Sequence, residues 1–503
     1  YRCILRNACC RYSRHRIGSV LLCDDLQDNP QVKTTQEIKP CIRMKQTKQL
    51  PKIFLFLATS FLLGSCQLGK HYTRPQLQLP ETLDSTSVDS TSLGDYPWEQ
   101  LYTDTTLQAL IRKALTYNKD MLIAASRVKE LAAMKRIDYA KLFPEVNLKV
   151  YGERERENYG GNHPVNSDEF DLKVGVSWEL DLWGNLRWAR DKSLAQFMGS
   201  IENQRAVRMT LVSQVAQSYF ELVALDNELS IVRKTVEARR EGLHLARIRY
   251  EGGLTSETAF RQAQVELART ATLVPDLERK ISLKENELAF LTGDYPRHIN
   301  RAVLPEEVMF PISLPVGLPS SLLERRPDVR QAEQALIEAN AAVGIAYTNL
   351  FPRITLTASY GAESKLLSDL LKSPHHLIVG NLLQPLFAMG KNRAMLKAKK
   401  AAYEQAAYAY EKAVLSAFKD AYNAIVEFNK IKEIYETRLR LEQSSKSALE
   451  LAQLQYMEGV IAYMDLLDAQ RGYLEAQISL SNAIRDKQIT LVNLYKALGG
   501  GWQ

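Results

Sequence analysis

The sequence predicts a mainly α-helical chain with a small β part, laid out as two copies of one plan. Three observations predict it. Two proline-poor stretches of about sixty-five residues carry apolar side chains at three- and four-residue steps. Four short segments alternate apolar and polar residues. The whole arrangement returns at an offset of roughly two hundred residues.

The first residues stand apart from that plan. Met44 begins a stretch with Lys45, Lys48 and Lys52 as a positive n-region, followed by an apolar run from Ile53 to Leu63. The run is too short to span a bilayer and ends in small residues, which reads as an export signal over 44–65. Its ending, Leu63-Gly64-Ser65-Cys66, resembles a bacterial lipobox, making Cys66 the lipidated first residue of the mature chain. The other reading is an ordinary signal peptide with a chance cysteine. Of six cysteines, Cys3, Cys9, Cys10, Cys23 and Cys41 precede residue 44 and none follows Cys66. A long chain without thiols suits an oxidising compartment. Residues 1–43 read as a mis-annotated upstream segment, and their cysteines with His15 fit no standard zinc spacing.

Residues 66–103 read as an extended, lipid-anchored segment. The first repeat, 104–295, opens with a helix and continues with strands at about 145–156 and 169–180. Val146, Leu148 and Val150 share one face of the first; Leu172, Val174, Val176, Trp178 and Leu180 share one face of the second. A helical hairpin over 185–292 follows. Leu211, Val215, Tyr219, Leu222, Leu225, Leu229, Val232 and Val236 form its seam, in the manner of a coiled coil. At 1.5 Å per residue such a helix is roughly 100 Å long. Gly252 and Gly253 end it, and Ser256 with Glu257 are placed to cap and charge the return helix.

A linker at 296–320 leads to the second repeat, 321–498. It has a helix, strands at about 353–362 and 376–387, and a hairpin over 391–498 turning at Gly459; residues 499–503 form a tail. Leu142-Phe143-Pro144 returns as Leu350-Phe351-Pro352, and Tyr250 through Gly253 returns as Tyr456 through Gly459.

Alternation alone also fits the edge of a soluble sandwich, and the seams alone fit a plain coiled-coil scaffold. If the strands span a membrane, four of them cannot close a barrel, since the smallest have eight. An open edge in lipid would leave backbone groups unpaired at several kcal/mol each. The chain must then oligomerise, and spacing allows a dimer or more.

The strings Tyr96-Pro97-Trp98, Ser177 through Gly184, Pro275 through Glu278, Leu291-Thr292-Gly293, Leu323 through Arg330, Gln384 through Phe387 and Leu498 through Trp502 occur in order along the chain. With them the sequence resembles the TolC-like outer-membrane factors, in particular the lipoprotein branch serving resistance-nodulation-division (RND) pumps. The resemblance covers essentially the whole mature chain. It implies a homotrimer whose twelve strands, four per chain, form one outer-membrane β-barrel continued by a periplasmic α-helical barrel. It implies a bacterial outer-membrane lipoprotein that passively conducts drugs or other small molecules outward. Its partners would be a periplasmic membrane-fusion adaptor, an inner-membrane RND pump and outer-membrane lipid. It implies no enzymatic activity, and no cofactor beyond the lipid on Cys66.

Site roles follow from the same resemblance. Tyr456, Ile461, Asp465 and Asp468 match the periplasmic aperture: Asp465 and Asp468 as acidic rings, Tyr456 as a tie between helices. Ile461 stands where relatives often carry a charged or polar gate residue, so closure there rests more on packing. Gly252, Gly253, Leu254, Thr255, Gly459 and Val460 match the adaptor-contacting tips.

Other readings remain at this stage. The same fold serves as the duct of type I protein secretion, and a coiled-coil lipoprotein without a pore needs only the helices. An enzyme is the weakest. His375 and His376 are expected on a solvated loop without a metal; no nucleophile elbow, phosphate loop or catalytic carboxylate pair is present. A net charge of +7 is spread along the 503 residues, with no basic block for nucleic acid.

Overall fold

The computed structural model describes residues 67–78, 92–158, 160, 165–301, 319–385 and 389–502. The signal segment, Cys66 and residues 302–318 of the linker therefore lie outside the described residues. The first half runs α1 (Trp98–Leu101), α2 (Thr105–Tyr117), α3 (Lys119–Ala140), β1 (Glu145–Glu157), β2 (Val165–Leu180), α4 (Asn185–Glu251), α5 (Glu257–Ala271) and α6 (Leu273–Leu291). The second runs α7 (Pro319–Arg325), α8 (Pro327–Thr348), β3 (Arg353–Ser364), β4 (Pro374–Leu383), α9 (Lys391–Met457) and α10 (Tyr463–Ala497).

The strands form one antiparallel sheet in the order β1-β2-β3-β4, leaving β1 and β4 as open edges. Period-two alternation puts the apolar set on one face, and that face is bare: Val150 is 72% exposed, Ile378 82% and Leu382 66%. Phe170 to Leu180 spans about ten rises of ~3.3 Å, which at a tilt of ~40° is close to the ~25 Å apolar band of a membrane barrel. The opposite face carries a chain of ion pairs. Lys149 and Lys173 reach Asp171 at 3.0 and 2.9 Å, Lys173 reaches Glu363 at 2.6 Å, and His375 lies 3.5 Å from Glu363.

Each strand joins a helix at the same end of the sheet, and the helices keep the strands' order: α3 packs on α4, α4 on α8, α8 on α9. Aromatic side chains mark the junction. The Trp178 and Trp183 indoles donate to the carbonyls of Leu142 (3.0 Å) and Pro352 (2.8 Å). The Trp183 ring stacks on Phe351 at 5.2 Å, and Tyr139 meets Phe143 edge-on at 5.3 Å.

Both α4 and α9 have 67 residues, so each is about 100 Å long by helical rise. Along α4, Leu211, Val215, Tyr219, Leu222, Leu229 and Val232 are buried, while Leu225 and Val236 pack partly buried against them. These side chains join the same core as Val414, Ala417 and Ala421 of α9 and Val492 and Leu494 of α10.

The string Leu323 through Arg330 has a structural use. Its buried Arg326 donates to the carbonyls of Ala417 (3.3 Å) and Ala497 (3.4 Å). It also pairs with Asp328 at 2.7 Å and Asp420 at 3.3 Å. One guanidinium thus ties the start of α8 to the middle of α9 and the end of α10. The Trp502 indole donates to the Arg325 carbonyl at 3.1 Å, bringing the C-terminal string to the same place.

Several local expectations are corrected. The opening helix of the first repeat is two, α2 and α3, interrupted at Asn118, whose side chain accepts from Met121 N–H at 3.1 Å and so starts α3. The return helix breaks at Thr272, because Pro275 has no N–H to give the preceding turn. The second strand begins at Val165, not 169. The fourth begins at Pro374, not 376, and ends at Leu383, short of Pro385, which cannot donate to a ladder; residues 386 and 387 of the expected strand lie outside the described residues. Ser256 sits at the start of α5, but its side chain makes no capping bond. His375 and His376 lie in β4, not in a loop. Neighbours on a strand face opposite ways, so His375 joins the ion-pair face and His376 stands opposite Tyr360.

Candidate functional site

The ends of the two hairpins farthest from the sheet gather the residues singled out in the sequence. Gly253 (φ +72°) and Gly459 (φ +75°) turn the chain through the left-handed region that favours glycine. Gly252, Gly253, Leu254, Gly459 and Val460 are exposed, with Leu254 at 74% and Val460 at 70%; Thr255 is half-buried beside them. Two apolar side chains offered at paired tips are unusual for a solvated turn and suit a docking surface.

Just behind the tips a small apolar cluster holds the end of α9 to the start of α10. Ala452, Tyr456 and Leu466 are its buried members, and Ile461, Tyr463, Leu449 and Ala469 pack around them. Ile461 is accordingly a packing residue. The Tyr456 ring lies 5.4 Å from that of Tyr463 and 4.9 Å from the Arg249 guanidinium of α4. Arg249 also donates to the Tyr456 carbonyl at 3.4 Å. Tyr456 thus bridges three helices through its ring and backbone; among the described residues its buried hydroxyl has no partner. Burial pushes the Tyr463 hydroxyl up to about 12, reinforced by Tyr456, so it stays neutral at physiological pH.

The two aspartates do different work within one chain. Asp465 accepts from the Ala462 N–H at 3.0 Å and thereby closes the first turn of α10. Asp468 is 69% exposed at its side chain and meets Arg471 at 3.1 Å. Neither is spent on a buried pair, and the two exposed carboxylates stand one turn apart.

A buried ion network links the hairpins here, and the sequence reading missed it. Arg239 of α4, 6% exposed, reaches Glu266 of α5, 4% exposed, at 2.9 Å. It also donates to the Glu266 carbonyl at 2.9 Å and to Thr270. Arg471 of α10 bonds the other oxygen of Glu266. The Arg471 hydrogen bond is the main reason the Glu266 carboxyl sits below the usual carboxylate range; burial opposes it and Arg239 adds to it. For Arg239 burial dominates and pulls its affinity for a proton down, with Glu266 only partly compensating. One carboxylate therefore holds α4, α5 and α10 together. A signal was available: Val232, Val236 and Arg239 continue one seam, as do Ala259, Ala263, Glu266 and Thr270. A charge on a core stripe implies a buried partner.

A cavity of about 300 Å³ lies beside this arrangement, lined by Arg239, Glu241, Glu266, Tyr456 and Tyr463; its buried carboxylate, Glu266, is already taken by Arg239 and Arg471. Among the described residues one group of carboxylates is close enough to share an ion, Glu169, Asp171 and Glu363 on the sheet; Lys149 and Lys173 already pair with Asp171, and Lys173 with Glu363.

Comparison with known proteins bears on this geometry. Residues 110–294 and 318–500 match the family model described as outer membrane efflux protein. The chain is 29% identical over 455 residues to the probable outer membrane lipoprotein SilC of Salmonella typhimurium, covering 89% of this chain and 98% of that one. It is 30% identical over 475 residues to the probable efflux pump outer membrane protein TtgC of Pseudomonas putida, covering 90% and 96%. Among solved structures, the open state of the Neisseria gonorrhoeae MtrE outer membrane channel superposes with a TM-score of 0.80 at 31% identity, covering 87% of this chain and 99% of that one.

Proposed function

The chain belongs to the outer membrane efflux protein family, and from that premise we propose that it is the exit duct of a tripartite RND-type efflux system, working as a homotrimer. It is an outer-membrane efflux channel, and transport rather than chemistry is what its family does. The finer assignments are ours: three copies, an adaptor docked on the tips, an inner-membrane pump behind it, and a lipid on Cys66.

One observation carries the trimer: a four-stranded sheet with a bare apolar face and two open edges, each strand continued by a helix in matching order. In lipid both edges must be paired. β4 of one chain pairs antiparallel with β1 of the next. Two chains would close eight strands, whose interior side chains fill. Three close twelve and leave a wet lumen for the face carrying Lys149, Asp171, Lys173 and Glu363. The helical layer closes in the same way, with α9 of one chain beside α3 of the next.

The start of the described chain supports the anchor. The Gln67 side chain donates to Asp191 at 3.1 Å and Leu68 N–H donates to the Trp183 carbonyl at 3.1 Å. An acyl group on Cys66 would thus enter the membrane beside the aromatic junction. Acyl chains contribute ~0.8 kcal/mol per buried CH₂.

Nothing after Cys66 contains cysteine, so closure is directly testable. With Cys66 left acylated, a cysteine at Asn381 on β4 is combined with single cysteines at Asn147, Lys149 or Tyr151 on β1. Oxidation is expected to give covalent dimers and trimers on a non-reducing gel, for one or two registers only. Monomer throughout all three pairings would defeat the shared barrel.

The aperture reading gives a second test. Three copies of Asp468, with Asp465 behind them, set like charges around a narrow opening, which favours cations. Asp468→Asn, which removes charge and leaves the α10 cap intact, is expected to abolish most of the cation preference in single-channel recordings. Asp465→Asn adds to the loss, while its amide oxygen can still accept from the Ala462 N–H. Unchanged reversal potentials in the double variant would remove both residues from the pore.

A further inference from the structure

The start of α9 carries a concentration of charge that the duct reading does not use. Lys391, Arg393, Lys397, Lys399 and Lys400 fall within its first ten residues, and no acidic residue appears before Glu404. All five are exposed. None forms an ion pair among the described residues, although ion pairs are plentiful along the other helices. Cations at a helix N-terminus oppose the helix dipole, so helix stability does not account for them.

Their position does. β4 ends at Leu383 and α9 begins at Lys391, so these residues lie just beyond the aromatic junction marked by Trp178, Trp183 and Phe351. Tryptophan and tyrosine belts mark the membrane–water interface. At 1.5 Å per residue, Lys391 and Arg393 stand within the headgroup layer, which is about 5–7 Å deep. Lys397, Lys399 and Lys400 start about 9–14 Å along the helix, and long side chains bring their charge back toward that layer.

The helix at the other edge of the layer repeats the sign. At the sheet end of α3, Arg136 is exposed and unpaired among the described residues, and Lys135 lies over the Phe197 ring at 4.3 Å. Asp138, the nearby acid, is held by Lys141 at 2.8 Å. A neighbouring copy closing against α9 therefore brings more positive charge to this level.

We propose that the first three turns of α9, with Arg136 of α3, form a basic collar that binds anionic phosphate headgroups of the inner leaflet of the outer membrane. The bound headgroups neutralise the facing cationic edges, and the collar holds a shell of acidic phospholipid at the foot of the barrel.

The test uses the full-length protein in nanodiscs of mixed phosphatidylglycerol and phosphatidylethanolamine, with the lipid retained after detergent extraction quantified by mass spectrometry. The protein is expected to retain phosphatidylglycerol severalfold over its share of the mixture. The combined variant Arg393→Gln, Lys397→Gln, Lys399→Gln, Lys400→Gln is expected to lose that enrichment. The control Lys432→Gln, Lys446→Gln, farther along the same helix, is expected to keep it. Channel conductance should survive the fourfold change, so loss of the collar is distinguishable from loss of the duct. Should the variant not assemble, the unaltered protein answers alone: enrichment must fall steeply as salt rises. Equal retention of both lipids, enrichment that survives in the fourfold variant or in high salt, or displacement by millimolar inorganic phosphate would each overturn the proposal.

Discussion

Glu266→Ala is expected to unlock the distal ends of the hairpins. The substitution leaves Arg239 buried without its carboxylate and frees Arg471 from α5. Removing one partner of a buried pair costs about 3–5 kcal/mol, because the remaining charge stays out of water. Here the cost falls where α4, α5 and α10 meet, behind the tips. The expected readout is frequent spontaneous opening in planar bilayers, together with faster proteolysis near residues 252–256 and 458–462. Glu266→Gln keeps the size and one acceptor, so its effect should be smaller but of the same sign. Arg471→Met should open the tips less than Glu266→Ala, since it leaves the Arg239–Glu266 pair intact.

The same pair predicts a pH dependence. A carboxyl held below its usual range contributes stability that is fully present above its unfolded value, near ~4.3, and is lost as pH falls through the lowered native value. Opening of the unaltered protein should therefore change little between neutral pH and about 5, then rise at stronger acidity. A rise centred near pH 6 would point to a histidine elsewhere rather than to Glu266.

The second large effect is expected at Arg326. It is 7% exposed at its side chain and serves two helix carbonyls and two carboxylates. Arg326→Ala removes the donor to the Ala497 carbonyl at the end of α10, and the second donor to the Ala417 carbonyl, which keeps its bond within α9, and leaves Asp328 and Asp420 without their cation. Burial alone would raise the Asp328 carboxyl, but Arg326 outweighs it and holds it low. Both carboxylates are about 40% exposed and stay hydrated, so the expected loss is that of charged hydrogen bonds, about 1.5–3 kcal/mol, rather than that of a fully buried pair. Arg326→Lys should recover only part, since an ammonium cannot reproduce the two-pronged contact with Asp328 while reaching the carbonyls. Thermal unfolding of the helical part, followed by circular dichroism, separates these variants. Asp420→Asn is the control, because Asp420 lies farther from the guanidinium, at 3.3 Å against 2.7 Å for Asp328.

The parts of the fold that repeat with a short period were legible in the sequence. The seam from Leu211 to Val236 needs only helical spacing to be recognised, and all of it is buried or packed against the core. The alternation in β2 placed Leu172 through Leu180 on one face for the same reason. What spacing does not reveal is which helix lies opposite. Arg239, Glu266 and Arg471 are far apart in sequence, and the network exists only because α5 and α10 both fold back against α4. Proline chemistry was underused: Pro275 and Pro385 mark the break in the return helix and the end of β4. The histidine pair was misplaced because Leu377–Phe387 alternates poorly, so the strand's true start at Pro374 left no signal. Tyr456 and Ile461 were singled out by the resemblance as aperture residues, and the packing cluster behind the turns gives both a physical role. The proposed ring of aspartates depends on symmetry that a single chain does not contain.

The duct itself is tested most directly by planar-bilayer recording of the purified, detergent-extracted protein, alongside Glu266→Ala so that a closed aperture cannot hide a pore. The account predicts discrete, cation-preferring conductance steps, rare in the unaltered protein and frequent in the variant, from a species that migrates as a trimer until boiled. Silence from both proteins, with no heat-sensitive trimer, would contradict it and leave a coiled-coil lipoprotein without a pore.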